Sequence, residues 1–339
     1  MTVGDEHFLS TAAGISEMRV GLLLNKVSPE HVMSLFRPYF EVETELYQRG
    51  GNYDLIFCYN LHPELELIRK HTDAKIFAVA AESPRLWPPN LNPQLVNLCD
   101  WHLGYAPLGG AGFRGRFREY FYPCVLRADL ARRFDACLAH ERQYTFCIFA
   151  RHDPNIRRQI AATLPANESF LGGPLFGNPV PDKWNVQSRA KFEFITENEI
   201  DDSYVSEKLG QALEAGCVPI YYGSPRAQRL FPRNLFIRLD EFDSIQAVVD
   251  FCLTPGTYER YFDAIRHEAK AILESRHTWE GNIFDPFHEY VRELAASGFR
   301  ARRTSFWWKL QYCRSRAGRI RKWIRRMAGK NRADCTTPI

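Results

Sequence analysis

The pattern of apolar and polar positions predicts buried strands alternating with helices along most of the chain. Short and nearly continuous apolar runs are typical of parallel strands that are covered on both faces. They occur at residues 19–24, 54–59, 75–80, 144–150, 191–196 and 218–222. Helices are predicted at residues 29–39, 63–71, 155–164, 205–215, 243–253 and 258–276.

This β-α-β alternation predicts doubly wound sheets in two α/β domains with a cleft between them. Two segments rich in Pro, Asn or Gly, residues 84–93 and 106–115, are predicted loops. A new α/β unit begins near residue 144, so the predicted domains are residues 1–140 and 141–299. A chain of 339 residues is long enough for two hydrophobic cores.

The amino-acid composition is typical of a globular protein but does not indicate a function. With 45% hydrophobic and 25% charged residues, the chain is a globular protein rather than a disordered or collagen-like one. Its nine cysteines include no Cys-x-x-Cys pair, which argues against a disulfide framework and a structural zinc site. We therefore expect reduced thiols in a cytoplasmic protein.

The C-terminal residues 300–339 form a basic tail. Residues 300–332 hold 13 Lys and Arg and no acidic residue, whereas the rest of the chain holds 31 basic and 40 acidic residues. Ile320, Trp323, Ile324 and Met327 recur at helical spacing among these cations. An amphipathic helix of this kind is typical of binding to an anionic membrane surface. A nucleic acid is disfavoured because the body is acidic, and an oligomerising or solvated tail remains an alternative.

Neither a membrane-spanning helix nor a secretory signal is expected. No apolar run approaches the roughly 18–20 residues that spanning requires. The first 20 residues contain an acidic pair and no sustained apolar core. We expect a cytoplasmic protein that associates peripherally with the inner face of the membrane.

The segment 191–225 carries the clearest chemical signal. It is predicted to run strand, polar loop, helix, short loop and strand, with Ser203 or Ser206 capping the helix. Glu207 and Lys208 then fall in or near the first turn, beyond the carboxyl end of a strand, where open α/β sheets bind ligands. A helix start with an adjacent ammonium favours an anionic ligand such as a phosphate. A surface ion pair of Glu207 with a nearby base is the alternative.

The same segment resembles the donor-binding region of bacterial-type α-1,3/4-fucosyltransferases, glycosyltransferase family 10. The chain has Thr-Glu-Asn at 196–198, five further residues, and Tyr-Val-Ser-Glu-Lys at 204–208. Ala-Gly-Cys-Val-Pro at 215–219 and Gly-Ser-Pro at 223–225 follow at the family's spacing. Thr196 replaces a Phe of the family pattern, and Ser206 replaces a Thr but keeps the hydroxyl.

The resemblance extends over about residues 75–265. Residues 147–157 resemble a family strand and a helix whose arginine contacts the donor diphosphate, which places Arg157 in that role, with Arg158 adjacent. Residues 231–240 with Phe242 resemble a run that follows the donor site. Glu82, in Glu-Ser-Pro after a strand, resembles the proposed catalytic base of bacterial members.

The resemblance implies a GT-B architecture, in which two Rossmann-like domains face each other across a cleft, and an inverting transfer of L-fucose from GDP-fucose to a glycan hydroxyl. The first domain would take the acceptor and the second the donor. Arg157 and Lys208 would neutralise the departing diphosphate, and Glu82 would accept the proton of the acceptor hydroxyl. Glu207, Asn198 and Glu197 would orient the sugar and the ribose, and Tyr204 matches a family aromatic near the nucleotide.

No metal is implied, since the chain contains no Asp-x-Asp and the adjacent Asp201 and Asp202 are not placed to converge. We expect no required cofactor and at most weak stimulation by Mn²⁺ or Mg²⁺. The expected acceptor is an oligosaccharide or lipid-linked glycan of the cell surface, such as lipopolysaccharide, with an N-acetylglucosamine-type sugar and an α-1,3 linkage favoured. The alternatives are a different nucleotide-sugar donor, or a non-catalytic glycan-binding protein at the membrane.

Overall fold

The structure is a computed structural model that describes residues 17–25, 43–82, 87–104, 115–152, 156–198, 200 and 204–301. In these residues the strands form two parallel sheets. The first sheet has the order β2-β1-β3-β4-β5-β6. Its strands are β1 (Arg19–Leu24), β2 (Glu43–Leu46), β3 (Leu55–Tyr59), β4 (Lys75–Val79), β5 (Trp101–Gly104) and β6 (Arg116–Glu119).

The second sheet has the order β11-β10-β9-β7-β8 and is also parallel throughout. Its strands are β7 (Tyr144–Phe149), β8 (Ser169–Gly172), β9 (Ala190–Thr196), β10 (Val218–Tyr222) and β11 (Ile237–Arg238). In the register of its two central strands, Thr196 at the end of β9 pairs with Tyr222 at the end of β10. The two strands therefore finish together at one edge of the sheet.

Helices cover both sheets. They are α1 (Glu64–His71), α2 (Pro93–Val96), α3 (Arg127–Leu138), α4 (Ile156–Thr163), α5 (Lys183–Gln187), α6 (Lys208–Glu214), α7 (Ala227–Leu230), α8 (Ile245–Leu253), α9 (Thr257–Ala264), α10 (Lys270–Arg276) and α11 (Asp285–Ala296). Single 3₁₀ turns lie at Pro88–Leu91, Ala166–Glu168, Pro174–Phe176, Arg233–Leu235 and Leu239–Glu241, and π turns at Ile265–Ala269 and Glu280–Phe284. No helix in the described part of the chain is long and apolar enough to cross a membrane.

The chain passes between the two cores twice. Helix α3 contributes Leu130 and Phe134 to the core of the second sheet. Helix α11 returns to the first sheet, where the Phe287 ring stands edge-on to Phe57 and Phe77 at centroid distances of 5.3 Å each. The core of the first sheet thus includes residues from beyond the predicted boundary at 140, and the boundaries at 140 and 299 stay predictions.

Polar contacts join the two halves near the chain crossing. The buried Arg226, just before α7, donates to Glu119 on β6 (Nε to Oε1, 2.6 Å) and to the carbonyl oxygen of Tyr120 at 3.0 Å. Asn282 Nδ2 donates to the carbonyl oxygen of Phe121 at 2.6 Å. These contacts fix the edge of the first sheet against the second half of the chain.

Most predicted strands are confirmed within one residue, and 19–24 and 218–222 are confirmed at both ends. Three predictions need correction. Helix α6 begins at Lys208, three residues later than expected. The predicted loop 84–93 contains a 3₁₀ turn and the start of α2, and the region predicted as one helix, 258–276, consists of α9, a π turn and α10. The predicted helix 29–39, the tail from 302 and nearly all of the predicted loop 106–115 lie outside the described residues.

Candidate functional site

A pocket of about 460 Å³ opens at the carboxyl ends of β7 and β9. This is where parallel α/β sheets bind ligands, because the strands end there and the following helices begin. One wall is the start of α6 and another is the loop after β8. The lining residues are Phe149, Ala150, Arg151, Gly173, Pro174, Pro179, Val180, Lys183, Glu193, Phe194, Ile195, Thr196, Glu207, Lys208 and Gln211.

Glu197 organises the rim of this pocket from a buried position. Its Oε1 accepts from the Ser206 backbone N–H at 2.9 Å and from the Tyr221 hydroxyl at 3.3 Å. Its Oε2 accepts from the Ser206 hydroxyl at 2.6 Å and from Lys208 Nζ at 3.0 Å. Glu197 is 3% exposed, so these bonds satisfy a carboxylate that would otherwise be costly to bury.

Lys208 stands at the first position of α6 and lines the pocket. Its ammonium donates to Glu197 and, at 2.9 Å, to the Ser206 hydroxyl. An ammonium has three N–H donors, so these two bonds fix its direction and leave a third for a ligand in the pocket. Helix α6 has seven residues, and the positive charge at this wall is that of the Lys208 side chain.

Arg157 lies on α4 and is 3% exposed. Its guanidinium donates from Nε to the Thr196 hydroxyl at 2.5 Å and from Nη2 to the Thr196 carbonyl oxygen and to Asn198 Oδ1, both at 2.8 Å. Nη1 donates to the His152 carbonyl oxygen at 2.7 Å. Arg157 therefore joins β7 and β9 at the ends where the pocket opens, whereas Arg158 faces solvent.

Two buried asparagines hold the segment that carries Glu82. Asn60, with a φ of +64°, accepts at Oδ1 from the backbone N–H groups of Ala81 (3.0 Å) and Glu82 (2.7 Å). Asn90 Nδ2 donates to the same Asn60 oxygen at 3.0 Å and to the Glu82 carbonyl oxygen at 2.9 Å. The backbone of Glu82 is thus fixed directly beyond the end of β4.

Burial and neighbouring charges act on the pKa of Tyr122, which follows β6. The pKa of Tyr122 is raised well above its ordinary value, first by burial and then by the negative charges of neighbours that include Glu82 and Glu207. Tyr204 also acts on this hydroxyl and packs against the core of the first sheet. Tyr122 thus lies within electrostatic range of one carboxylate from each half of the chain.

The structure places the predicted site residues in three settings. Glu207 and Lys208 line the pocket, whereas Glu82 follows β4 and Tyr204 packs against the core of the first sheet. Arg157, Asn198 and Glu197 are not among the lining residues of the pocket, and the contacts described above tie them to protein atoms, so their expected donor-binding role stays a prediction. Their positions support the pocket's rim.

Several side chains of the site were not predicted from the sequence. Asn60 and Asn90 are separated by 30 residues and give no local signal. Lys183 and Glu193 form an ion pair of 3.1 Å inside the pocket. For Glu193 there was a signal, since a charged residue inside a buried strand is unusual.

Among the residues that the structure describes, no three His, Cys, Asp or Glu side chains are grouped so that they could hold a metal ion. The expectation that no cofactor is required stays a prediction.

Comparison with known proteins identifies a family that part of the chain resembles. Residues 177–294 match the model described as "Glycosyltransferase family 10 (fucosyltransferase) C-term". Residues 177–294 are therefore similar to the C-terminal domain of glycosyltransferase family 10. The matched segment includes Glu197, Glu207 and Lys208, so the resemblance predicted from the 191–225 segment is confirmed.

Curated relatives agree with this family. The chain is 38% identical over 195 residues to human alpha-(1,3)-fucosyltransferase 4, covering 51% of this chain and 34% of the relative. It is 26% identical over 145 residues to alpha-(1,3)-fucosyltransferase FucT of Helicobacter pylori, covering 41% and 30%. The matched segments thus span about a third of each relative's length.

Solved structures extend the likeness to both halves of the fold. A crystal structure of an α1,3-fucosyltransferase aligns with a TM-score of 0.52 at 17% identity, over 82% of this chain and 89% of that one. A GDP-fucose complex of α1,3-fucosyltransferase aligns at 0.51 and 16%, over 84% and 96%. Anabaena Alr3699/HepE with UDP-glucose aligns at 0.50 and 13%, over 83% and 100%. The likeness confirms the predicted GT-B arrangement of two parallel-sheet α/β halves.

Proposed function

We propose that the protein is an inverting fucosyltransferase that moves L-fucose from GDP-fucose to a glycan hydroxyl. The observation that carries the proposal is the position of the pocket. It lies at the strand ends, and its wall includes Lys208 and Glu207, which belong to the segment that matches the family 10 model. Related proteins named as α-1,3-fucosyltransferases support fucose as the sugar. A crystal structure of such an enzyme with GDP-fucose supports the donor.

In the proposed transfer of fucose by a single displacement, each charged residue has one role. The Lys208 ammonium binds the diphosphate and stabilises the negative charge that grows on its oxygens as the bond to fucose breaks. Arg157 holds the end of β9 and adds positive charge beside the same strand end. Glu207 orients the sugar or ribose hydroxyls from the pocket wall. Glu82, which follows β4 in the first half of the chain, accepts the proton of the acceptor hydroxyl as that oxygen attacks.

Transfer of labelled fucose from GDP-fucose to N-acetylglucosamine-type oligosaccharides tests the proposal. Glu82→Gln should keep GDP binding and lose about 10²–10⁴-fold in turnover, since a general base contributes about that factor. Glu66→Gln, which changes an exposed carboxylate on α1, is the matched control and should transfer normally. Full activity of Glu82→Gln would remove Glu82 as the base.

A different nucleotide-sugar donor is the second candidate, because the fold is shared with a protein crystallised with UDP-glucose. A non-catalytic glycan-binding protein is the third, and it would need neither Glu82 nor a bound diphosphate. Fucose transfer that depends on Glu82 argues against both.

We also propose that the basic tail binds the anionic inner face of a membrane and brings the enzyme to lipid-linked acceptors such as lipopolysaccharide precursors. The support is its sequence: 13 cations between 300 and 332, with an apolar stripe at helical spacing. Each basic residue near an anionic surface contributes about 1 kcal/mol before salt screening.

Deletion of residues 302–339 tests the tail. It retains Arg300 and Ala301, which contact Glu17 and Asp54. The full chain should sediment with phosphatidylserine vesicles and less with phosphatidylcholine vesicles, and the truncated chain with neither. Equal sedimentation of both chains would contradict the proposal.

A further inference from the structure

A second polar cluster lies in the same pocket, about one helical turn along α6 from Lys208. Lys183 Nζ donates to Glu193 Oε1 at 3.1 Å and to Gln211 Oε1 at 3.3 Å, and it stands 5.0 Å from the centre of the Phe149 ring. Gln187 Nε2 donates to Glu193 Oε2 at 2.6 Å. Each of these contacts fixes the ion pair in one orientation.

Folding alone gives no reason for this ion pair. Glu193 is 2% exposed and lies in the middle of β9, where its sheet neighbours across the register are Cys147 and Pro219. The Lys183 side chain is 28% exposed, so the carboxylate of Glu193 bears most of the cost of leaving water, and such a pair contributes little to stability compared with apolar side chains of similar volume. Both charged side chains line the pocket, so the pair is placed to meet a ligand.

The ion pair of Lys183 and Glu193 keeps unused hydrogen-bond donors and acceptors in a defined arrangement. Each oxygen of Glu193 has two lone pairs and accepts one of the bonds described, while Lys183 uses two of its three N–H groups. The pair therefore presents a donor beside an acceptor to the pocket. Around it, Pro174, Pro179 and Val180 supply apolar walls, as a site for a flat ring requires.

We propose that Lys183 and Glu193 recognise the edge of the guanine base of the donor nucleotide. This inference rests on the proposed function, since it places the diphosphate at Lys208. Guanine presents the O6 acceptor next to the N1–H and N2–H donors. Lys183 donates to O6, and Glu193 accepts from N1–H and N2–H.

Other bases fit this pair less well. Uracil places an acceptor, O2, where guanine has its amino group, and that oxygen would face the carboxylate. Adenine places an amino group where Lys183 needs an acceptor. Hypoxanthine differs from guanine only in lacking the 2-amino group, so inosine diphosphate isolates the contact with Glu193.

Calorimetric titration of the full chain with GDP, IDP and UDP tests the assignment. The wild type should bind GDP roughly 10-fold or more tightly than IDP, since one hydrogen bond to a buried charge is lost. In Glu193→Gln and Glu193→Met the GDP-to-IDP ratio should fall toward one. In Lys183→Met both affinities should fall and the ratio should persist, because O6 is common to both bases.

Lys191→Met is the control, since it removes an ammonium from the opposite end of the same strand, where Lys191 stands over the Tyr258 ring. Thermal unfolding of each variant without nucleotide reports the purely structural effect. A wild type that does not discriminate GDP from IDP, or an unchanged ratio in both Glu193 variants, overturns the guanine assignment alone. Failure of the wild type to bind any of the three nucleotides overturns the proposed function as well.

Discussion

Replacing Glu197 gives the sharpest test of how the pocket's rim is held. In Glu197→Ala, two buried hydroxyl donors and one backbone donor lose their acceptor, on Ser206 and Tyr221, which are both 0% exposed. A buried donor without a partner costs about 1–3 kcal/mol. Breaking a buried charge pair costs about 3–5 kcal/mol. We expect a loss of about 3–5 kcal/mol, a large part of the roughly 5–15 kcal/mol that stabilises a typical protein.

The Glu197→Gln variant distinguishes two effects of Glu197 on ligand binding: its orientation of the Lys208 ammonium and its negative charge. Removal of a negative charge next to Lys208 should by simple Coulomb attraction strengthen the binding of a diphosphate. If Glu197 instead serves to aim the Lys208 ammonium, the amide holds it less well, because one of the two acceptor oxygens becomes an NH2 group that faces other donors. GDP affinity should then fall by roughly 10-fold, the value of one charge-assisted hydrogen bond.

Urea denaturation and calorimetric GDP titration measure the two effects. Glu168→Gln removes an exposed carboxylate that accepts from the Thr145 hydroxyl, so it controls for the change in net charge. An increase in GDP affinity in Glu197→Gln, with the control unchanged, would refute the positioning role.

Two further predictions concern the loop after β8 and a histidine in the first sheet. Gly173→Ala should lower the midpoint of urea denaturation and weaken GDP binding, because the φ of Gly173 is +101° and a Cβ there would lie 2.4 Å from the Ala150 carbonyl oxygen. Backbone strain of this kind costs about 1–3 kcal/mol. An unchanged urea midpoint would contradict this prediction. His102 is buried on β5, where neither ring nitrogen has a hydrogen-bond partner among the residues that the structure describes, and burial lowers its pKa from 6.5 to about 4. The unfolded chain therefore binds a proton between these pH values that the folded chain does not, so folding stability should fall as pH drops from 6.5 to 4. In that window the wild type should lose about 3 kcal/mol more than His102→Leu in urea denaturation, and equal losses would contradict the assignment.

The strands were predictable where continuous apolar runs mark burial on both faces. Residues 218–222 were placed at both ends, and all but the last lie buried. Strand β6 was not predicted, because Arg116–Glu119 is short and polar and lies at the edge of its sheet. Its place depends on pairing with β5.

The return of α11 to the first sheet is a tertiary effect that no local pattern contains. The amphipathic helix was not among the predicted elements. The sheet that it covers is set by Phe287 meeting Phe57 and Phe77, more than 200 residues earlier in the chain. A boundary drawn from local alternation cannot include such a crossing.

The sequence identified residues of the candidate site but could not predict which of them contact one another. Motif spacing singled out Glu197, Ser206 and Lys208 together. That Glu197 turns inward to hold the other two follows only from the fold, because β9 ends beside α6. The asparagines that fix Glu82 are also brought together by the fold, since Asn60 follows β3 and Asn90 lies in the 3₁₀ turn Pro88–Leu91.

Calorimetric titration with GDP-fucose, GDP-mannose and UDP-galactose, without added metal, tests the central claim most directly. The account predicts that GDP-fucose binds more tightly than the other two and that Lys208→Ala loses most of this affinity. Binding of UDP-galactose as tight as that of GDP-fucose, or GDP-fucose binding that is unchanged in Lys208→Ala, would contradict it.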